Sequence, residues 1–292
     1  MQYVPATQPE TTTEVLKRSL RVYRLTFAKV FFVSLAVSIV TFSSRLVALV
    51  TGTDVFAFLP AWSPLRLWLL LIYLVTLTLL MAILWRLQSV TTNSNESLKQ
   101  DFHKAYKKFP LVLAAVIIQS IIFRTISLAA FGFNMIIYQQ HLNYHTNYFA
   151  LLLVFLPFLA EIMISGYLTM LFFFYFPLIL TENKGPIDSL IRSAQLVWGY
   201  WWKTLWVQTL PWLCYLGVLL LMQSMGISTH IYFFKPTLIT PLATAVHIFI
   251  FALFFPWFAA TMLVQLRDLE LRAKLNKKPR KSRVKKNPLP SV

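Results

Sequence analysis

Six apolar runs, each long enough to cross a bilayer, constrain this chain more than any other feature. They fall at roughly 28–50, 67–90, 109–132, 148–180, 204–227 and 241–266. Crossing a hydrocarbon layer of about 30 Å takes roughly 20 helical residues at about 1.5 Å each, whereas a barrel strand needs only about ten. Lipid offers no hydrogen bonds, so a run of this length satisfies its backbone as a helix. The expected fold class is therefore all-α: a polytopic membrane protein with six transmembrane helices. Composition agrees, because 58% of residues are apolar or aromatic and only 13% are charged, about half the charged share of a soluble domain.

Charge sets the expected orientation. Five Lys/Arg lie in 1–29, five in 86–108, three in 181–203 and ten in 267–292, which leaves only Arg45, Arg66, Arg124 and Lys235 elsewhere. The positive-inside rule places these four segments, and hence both termini, in the cytoplasm. The opposite loops, 51–66, 133–147 and 228–240, are short, weakly charged and aromatic, as rings at headgroup level should be. The first apolar run follows Lys17, Arg18, Arg21 and Arg24 and has no small-residue cleavage site after it, so it reads as an uncleaved helix.

Three cytoplasmic segments align when Glu14, Glu96 and Asp188 are set in register: EVLKRSLRVYRLTF, ESLKQDFHKAYKKF and DSLIRSAQLVWGYW. Leu16, Leu98 and Leu190 share the third position. Ser19, Asp101 and Ser193 share the sixth, and Phe27, Phe109 and Trp201 the fourteenth. An acid in the first turn offsets the exposed amide dipoles there, and the leucines recur at helical spacing on one face. Each segment reads as an amphipathic helix in the headgroup region that introduces two spans. The expected organisation is a flexible N-terminus over 1–11, three parallel helical-hairpin repeats over about 12–92, 94–181 and 186–266, and a basic tail over 267–292.

Residues 176–207, FPLILTENKGPIDSLIRSAQLVWGYWWKTLWV, carry the most distinctive pattern. An apolar helix end is followed by Glu182, Gly185 and Pro186, then by Asp188, Leu190 and Ser193, and then by Gly199, Trp201 and Trp202. This pattern resembles YciC-like inner-membrane proteins and the related membrane domain attached to some glycerophosphodiester phosphodiesterases. Ser189 stands where those proteins usually have alanine. The resemblance extends weakly to the two earlier copies and so covers about 12–266. It implies a six-span domain without catalysis of its own, in the bacterial inner (cytoplasmic) membrane, because in the fused proteins a separate soluble domain is the enzyme. Physics alone also accounts for the motif, since Gly185 and Pro186 stop one helix and start the next, and the tryptophans anchor at the interface.

Glu161 falls near the middle of the fourth run, where a carboxylate needs a partner or a proton. Arg124 on the third run is the expected partner. Counted from outer ends near 132 and 148, Arg124 lies about 12 Å deep and Glu161 about 20 Å. Gln119, Ser120, Thr125 and Ser165 are placed to complete a polar cluster. Such a pair is either a structural lock between helices or part of a pathway. Pro157, Pro211 and Pro256 each free a carbonyl within a span, and the long fourth run calls for tilt, a break near Gly166, or protrusion.

The remaining signals exclude more than they propose. Cys214 is the only cysteine and reads as a small buried residue. His247 reads as a satisfied interfacial histidine. His141 and His145 have i, i+4 spacing but no ligand partners nearby, so no metal site is expected. No phosphate loop and no nucleophile or paired-carboxylate arrangement is present, and neither a cofactor nor enzymatic activity is expected. The tail beyond about Lys277 reads as disordered. It has no aromatic platform for nucleic acid, and beside a membrane span it suits anionic lipid headgroups. Two functions follow: a non-enzymatic protein serving envelope or lipid homeostasis or scaffolding a partner at the cytoplasmic rim, and a small-solute or lipid transporter using Glu161 and Arg124.

Overall fold

A computed structural model describes residues 6–51, 64–92, 94, 97–139, 148–182, 184–225 and 241–276. Helix α1 (Thr12–Thr41) opens with a capping box in which Glu14 Oε2 accepts from the Thr11 amide at 2.7 Å and the Thr11 hydroxyl accepts from the Glu14 amide. A turn at Phe42 separates it from α2 (Ser43–Thr51), so the first apolar run is two helices. Next come α3 (Pro64–Thr91) and α4 (Leu98–Gln139). Ser97 and Gln100 cap α4 reciprocally, while Glu96 lies outside the described residues. The chain continues as α5 (Tyr148–Phe172), α6 (Tyr175–Glu182), α7 (Pro186–Val197), α8 (Trp201–Ser224) and α9 (Pro241–Asn276). No strand occurs among the described residues, and six helical stretches are long and apolar enough to cross a membrane.

The three amphipathic segments do not behave alike. The first two run without a break into their spans, so that α4 has 42 residues and extends about 63 Å, roughly twice the hydrocarbon thickness. Only the third, α7, is a separate helix. Pro186 occupies its first position, where a missing amide costs nothing. Gly199, at φ 83°, ends it in the left-handed conformation that glycine adopts freely, and α8 then leaves in a new direction.

The fourth span breaks at Phe173–Phe174, not near Gly166, which sits inside α5. Ser193 of α7 holds the break closed. Its oxygen accepts from the Phe174 amide at 3.0 Å, and its hydroxyl donates to the Leu171 carbonyl at 2.6 Å. Pro157, Pro211 and Pro256 all lie within continuous helices. At Pro256 the freed Ala252 carbonyl accepts from the Ser34 hydroxyl at 2.7 Å, and the next carbonyl, of Leu253, accepts from Tyr23 at 3.1 Å.

Helices α8, α9, α1, α3, α4 and α5 follow one another as packed neighbours, α1 and α9 most extensively, while α5 meets α8 lightly. The main core joins α1, α3, α9 and α8 to α6 and the N-terminal half of α4; its centre includes Val15, Val37, Met81, Leu84, Ile179 and Ala260. A second cluster of Leu171, Phe174, Leu178, Leu196, Val197 and Leu269 gathers α7 and the end of α9 around the break.

Candidate functional site

Polar chemistry concentrates at the end of the bundle where α1 begins and α9 ends, and the sixth position of the sequence repeat leads to it. Ser19, Asp101 and Ser193 are all fully buried. Ser19 accepts from Trp257 Nε1 at 3.2 Å, Asp101 pairs with Arg86 at 3.3 Å, and Ser193 bridges Leu171 and Phe174. The partners lie on the sixth, second and fourth spans. Each entry helix is thus tied to the even-numbered span before it, taken cyclically.

A second network ties the N-terminal segment to the rim. Asp268, only 1% exposed, accepts from the Glu10 amide at 2.7 Å, from Lys203 Nζ at 2.6 Å and from Arg272 Nε at 3.0 Å. Lys203 and Arg272 also donate to the Glu10 carbonyl. Glu10 pairs in turn with Arg18, and the Arg272 guanidinium lies over the Tyr200 ring. Three charge-assisted bonds satisfy this buried carboxylate. The expectation of a flexible segment over 1–11 is corrected from residue 6 onward, since Ala6 is buried and Glu10 is bonded; residues 1–5 lie outside the described residues.

Two clefts open on the same side. One, of about 720 Å³, lies between the ends of α3, α6 and α9 and is lined by Gln88, Thr91, Thr181, Glu182, Arg267 and Glu270. Glu182 bonds Lys184 at 2.6 Å and Arg267 bonds Glu270 at 3.3 Å, so both carboxylates lining the cleft are ion-paired. The other, of about 390 Å³, is almost wholly apolar and lies between α4, α5 and α7, against Ile118, Ile122, Phe172, Ile191, Ala194 and Trp198.

The motif residues divide between these features. Glu182 lines the polar cleft, Gly185 and Pro186 start α7, and Asp188 sits exposed in its first turn. Trp201 meets Tyr167 in a tilted contact and Trp202 edge-to-face, with ring centres 5.7 and 4.5 Å away, and Trp202 itself is largely exposed.

Arg124 and Glu161 are not brought together. Among the described residues neither forms a hydrogen bond or an ion pair; Arg124 is exposed, Glu161 half-buried, and neither lines either cleft. The expected internal pair therefore gives way to two unpaired groups on adjoining helices, among the described residues. Their heights also change. Because α4 continues to Gln139, Arg124 lies about 22 Å along the helix from its C-terminal end, close to the figure of about 20 Å for Glu161 from Tyr148.

At the opposite end of the bundle, His247 is satisfied as expected. Its Nδ1 lies 2.8 Å from Arg45 Nη1 and its Nε2 2.5 Å from the Tyr215 hydroxyl. Arginine only donates, so Nδ1 accepts and Nε2 carries the proton. Cys214 corrects another expectation, since it is exposed on α8 and not buried. No group of three metal ligands occurs among the described residues; His141, His145 and the tail beyond Asn276 lie outside them.

The sequence hinted at part of this site. Position six of the repeat marked Ser19, Asp101 and Ser193, but nothing local singled out Glu10, Lys203 or Asp268, whose meeting depends on helix packing. Arg45 and Tyr215 were equally silent. Comparison with protein-family models, with curated proteins and with solved structures finds no match.

Proposed function

We propose that this multi-pass membrane protein is a non-enzymatic component of the bacterial inner membrane that engages phospholipid in the cytoplasmic leaflet and serves envelope or lipid homeostasis. The observation that carries the reading is α7. This amphipathic helix buries Leu190, Leu196 and Val197 on one side, while Ile187, Ile191 and Trp198 stay exposed beside the apolar cleft. A stripe of that kind at headgroup level is suited to acyl chains. The YciC-like motif and the basic tail point the same way.

The test is native mass spectrometry of protein released from nanodiscs of phosphatidylethanolamine and phosphatidylglycerol. Wild type should retain phospholipid, and Ala194→Trp, which fills the cleft, should retain at least about threefold less. Equal retention by both counts against the reading.

The transporter reading keeps one supporting observation, the polar cleft at the cytoplasmic ends of α3, α6 and α9. Its pathway would begin at Glu182, Arg267 and Glu270, since Arg124 and Glu161 lie elsewhere. Proton-coupled flux in liposomes that falls with Glu182→Gln and Glu270→Gln would place transport ahead.

A further inference from the structure

Helix α4 leaves a continuous row of side chains uncovered: Ile117, Ile121, Arg124, Leu128, Phe131 and Met135. The spacing alternates four and three residues over the whole row. That is one face of a straight α-helix, whose period is about 3.6 residues, left uncovered over five turns. A helix facing only lipid has no use for an arginine in the middle of such a stripe.

The adjoining α5 exposes Phe155, Phe158 and Ile162, and Glu161 is half-buried at the edge of that face, on the stripe of buried Pro157. The two ionisable groups sit at nearly the same height, about 22 and 20 Å along their helices from the Gln139 and Tyr148 ends. Each has no partner within its own chain among the described residues. An unneutralised arginine or carboxylate at such depth costs several kcal/mol in lipid, so both call for a counter-charge from outside the protomer.

We infer that the α4–α5 face is the contact between two copies of this chain, in which Arg124 of each protomer pairs with Glu161 of the other. A second copy fits better than an unrelated protein for a reason of symmetry. A twofold axis along the membrane normal keeps both copies in the same orientation and every residue at the same height. One rotation then forms both ion pairs at once, the reciprocity of an isologous interface. The face presents one positive and one negative group at equal depth, which is the charge pattern a self-complementary surface needs. This inference stands independently of the lipid reading, which concerns α7.

The experiment uses the full-length chain with two affinity tags in nanodiscs, scored by co-capture of the second tag. Wild type should co-capture. Arg124→Glu or Glu161→Arg expressed alone places like charges opposite each other and should lower co-capture about tenfold or more. Co-expression of Arg124→Glu under one tag with Glu161→Arg under the other restores both pairs, but only across the interface, and should recover co-capture. A pair formed within one chain would gain nothing from this mixing. A monomeric wild type, single variants that still self-associate, or folded variants that fail to recover on mixing would each overturn the inference. Should a charge-reversed chain not fold, Arg124→Gln and Glu161→Gln serve in the same assay, and co-capture equal to wild type overturns it.

Discussion

Two adjacent helix pairs solve the problem of living in lipid in opposite ways. Along α1 and α9 the contact is continuous, small and polar residues point inward, and loose backbone groups are closed: Ser34 and Tyr23 take the carbonyls at the Pro256 step, and Trp257 bonds Ser19. Along α4 and α5 the contact thins out beyond Ala115. The uncovered residues include Ile121, Leu128, Leu159 and Met163 as well as Arg124. Both pairs are apolar in composition, so hydrophobicity does not separate them. In a bilayer lipid tails compete equally for any apolar side chain, and helices associate through close packing and interhelical hydrogen bonds. The α1–α9 pair has those, and among the described residues the C-terminal half of α4 and the N-terminal half of α5 show no such hydrogen bond between them.

The contrast breaks most severely if the clasp that ends the α1–α9 pair is removed. Asp268→Ala leaves Lys203 and Arg272 facing each other without their shared carboxylate and strips the Glu10 amide of its acceptor. Loss of one partner from a buried charge network costs about 3 kcal/mol or more. The midpoint of thermal unfolding in detergent should fall by several degrees. A shift within error would mean that the clasp is solvated and α1–α9 stands without it.

A smaller loss is expected at the fourth span. Ser193→Ala orphans the Phe174 amide and the Leu171 carbonyl together, a cost of about 2 kcal/mol for two buried groups only partly rescued by local adjustment. Limited proteolysis or hydrogen exchange should show the α6–α7 region opening before the rest. Uniform destabilisation across all helices would instead mark Ser193 as part of the main core.

The outcome for Ser193 bears on what the sequence alone discloses. Its place in the repeat was legible because an amphipathic helix must put a fixed position inward, and the same logic held for Ser19 and Asp101. Span number and helical class were legible because the cost of exposed backbone in lipid leaves no other solution. The break at Phe173–Phe174 was not, because it depends on a hydroxyl arriving from another helix, and Gly166 offered a more obvious local cue. The pairing of Arg124 with Glu161 failed for a related reason. Depth can be counted along a sequence, but the face each helix turns to its neighbour is set by packing. Asp268 was hidden in a run of basic residues that reads as a tail.

The Pro256 step tests the α1–α9 side more finely. Ser34→Ala should cost about 0.6–1 kcal/mol, the usual worth of an interhelical hydrogen bond in a membrane. With Pro256→Ala, residue 256 regains an amide that can serve the Ala252 carbonyl from within α9. The Ser34→Ala effect should then shrink toward zero. A double-mutant cycle by denaturant titration reads the coupling directly, and strict additivity would show that Ser34 contributes by packing alone.

The smallest expected effect lies on the other pair. Phe158 on α5 is half exposed, and among the described residues its ring neighbour is Phe155 on the same helix, 6.2 Å away. Truncation to alanine leaves no cavity, because detergent or lipid tails fill the space as readily as they wet the ring. Phe158→Ala should therefore change protomer stability by less than about 0.5 kcal/mol when the protein is dispersed as single chains. The same substitution in nanodiscs, where two copies can meet, should weaken their association if Phe158 lies in the contact. A loss in nanodiscs with none in the dispersed protomer would locate the missing packing of α4 and α5 in the second copy. An equal loss in both would mean that α5 is covered within its own chain, and the contrast between the two helix pairs would collapse.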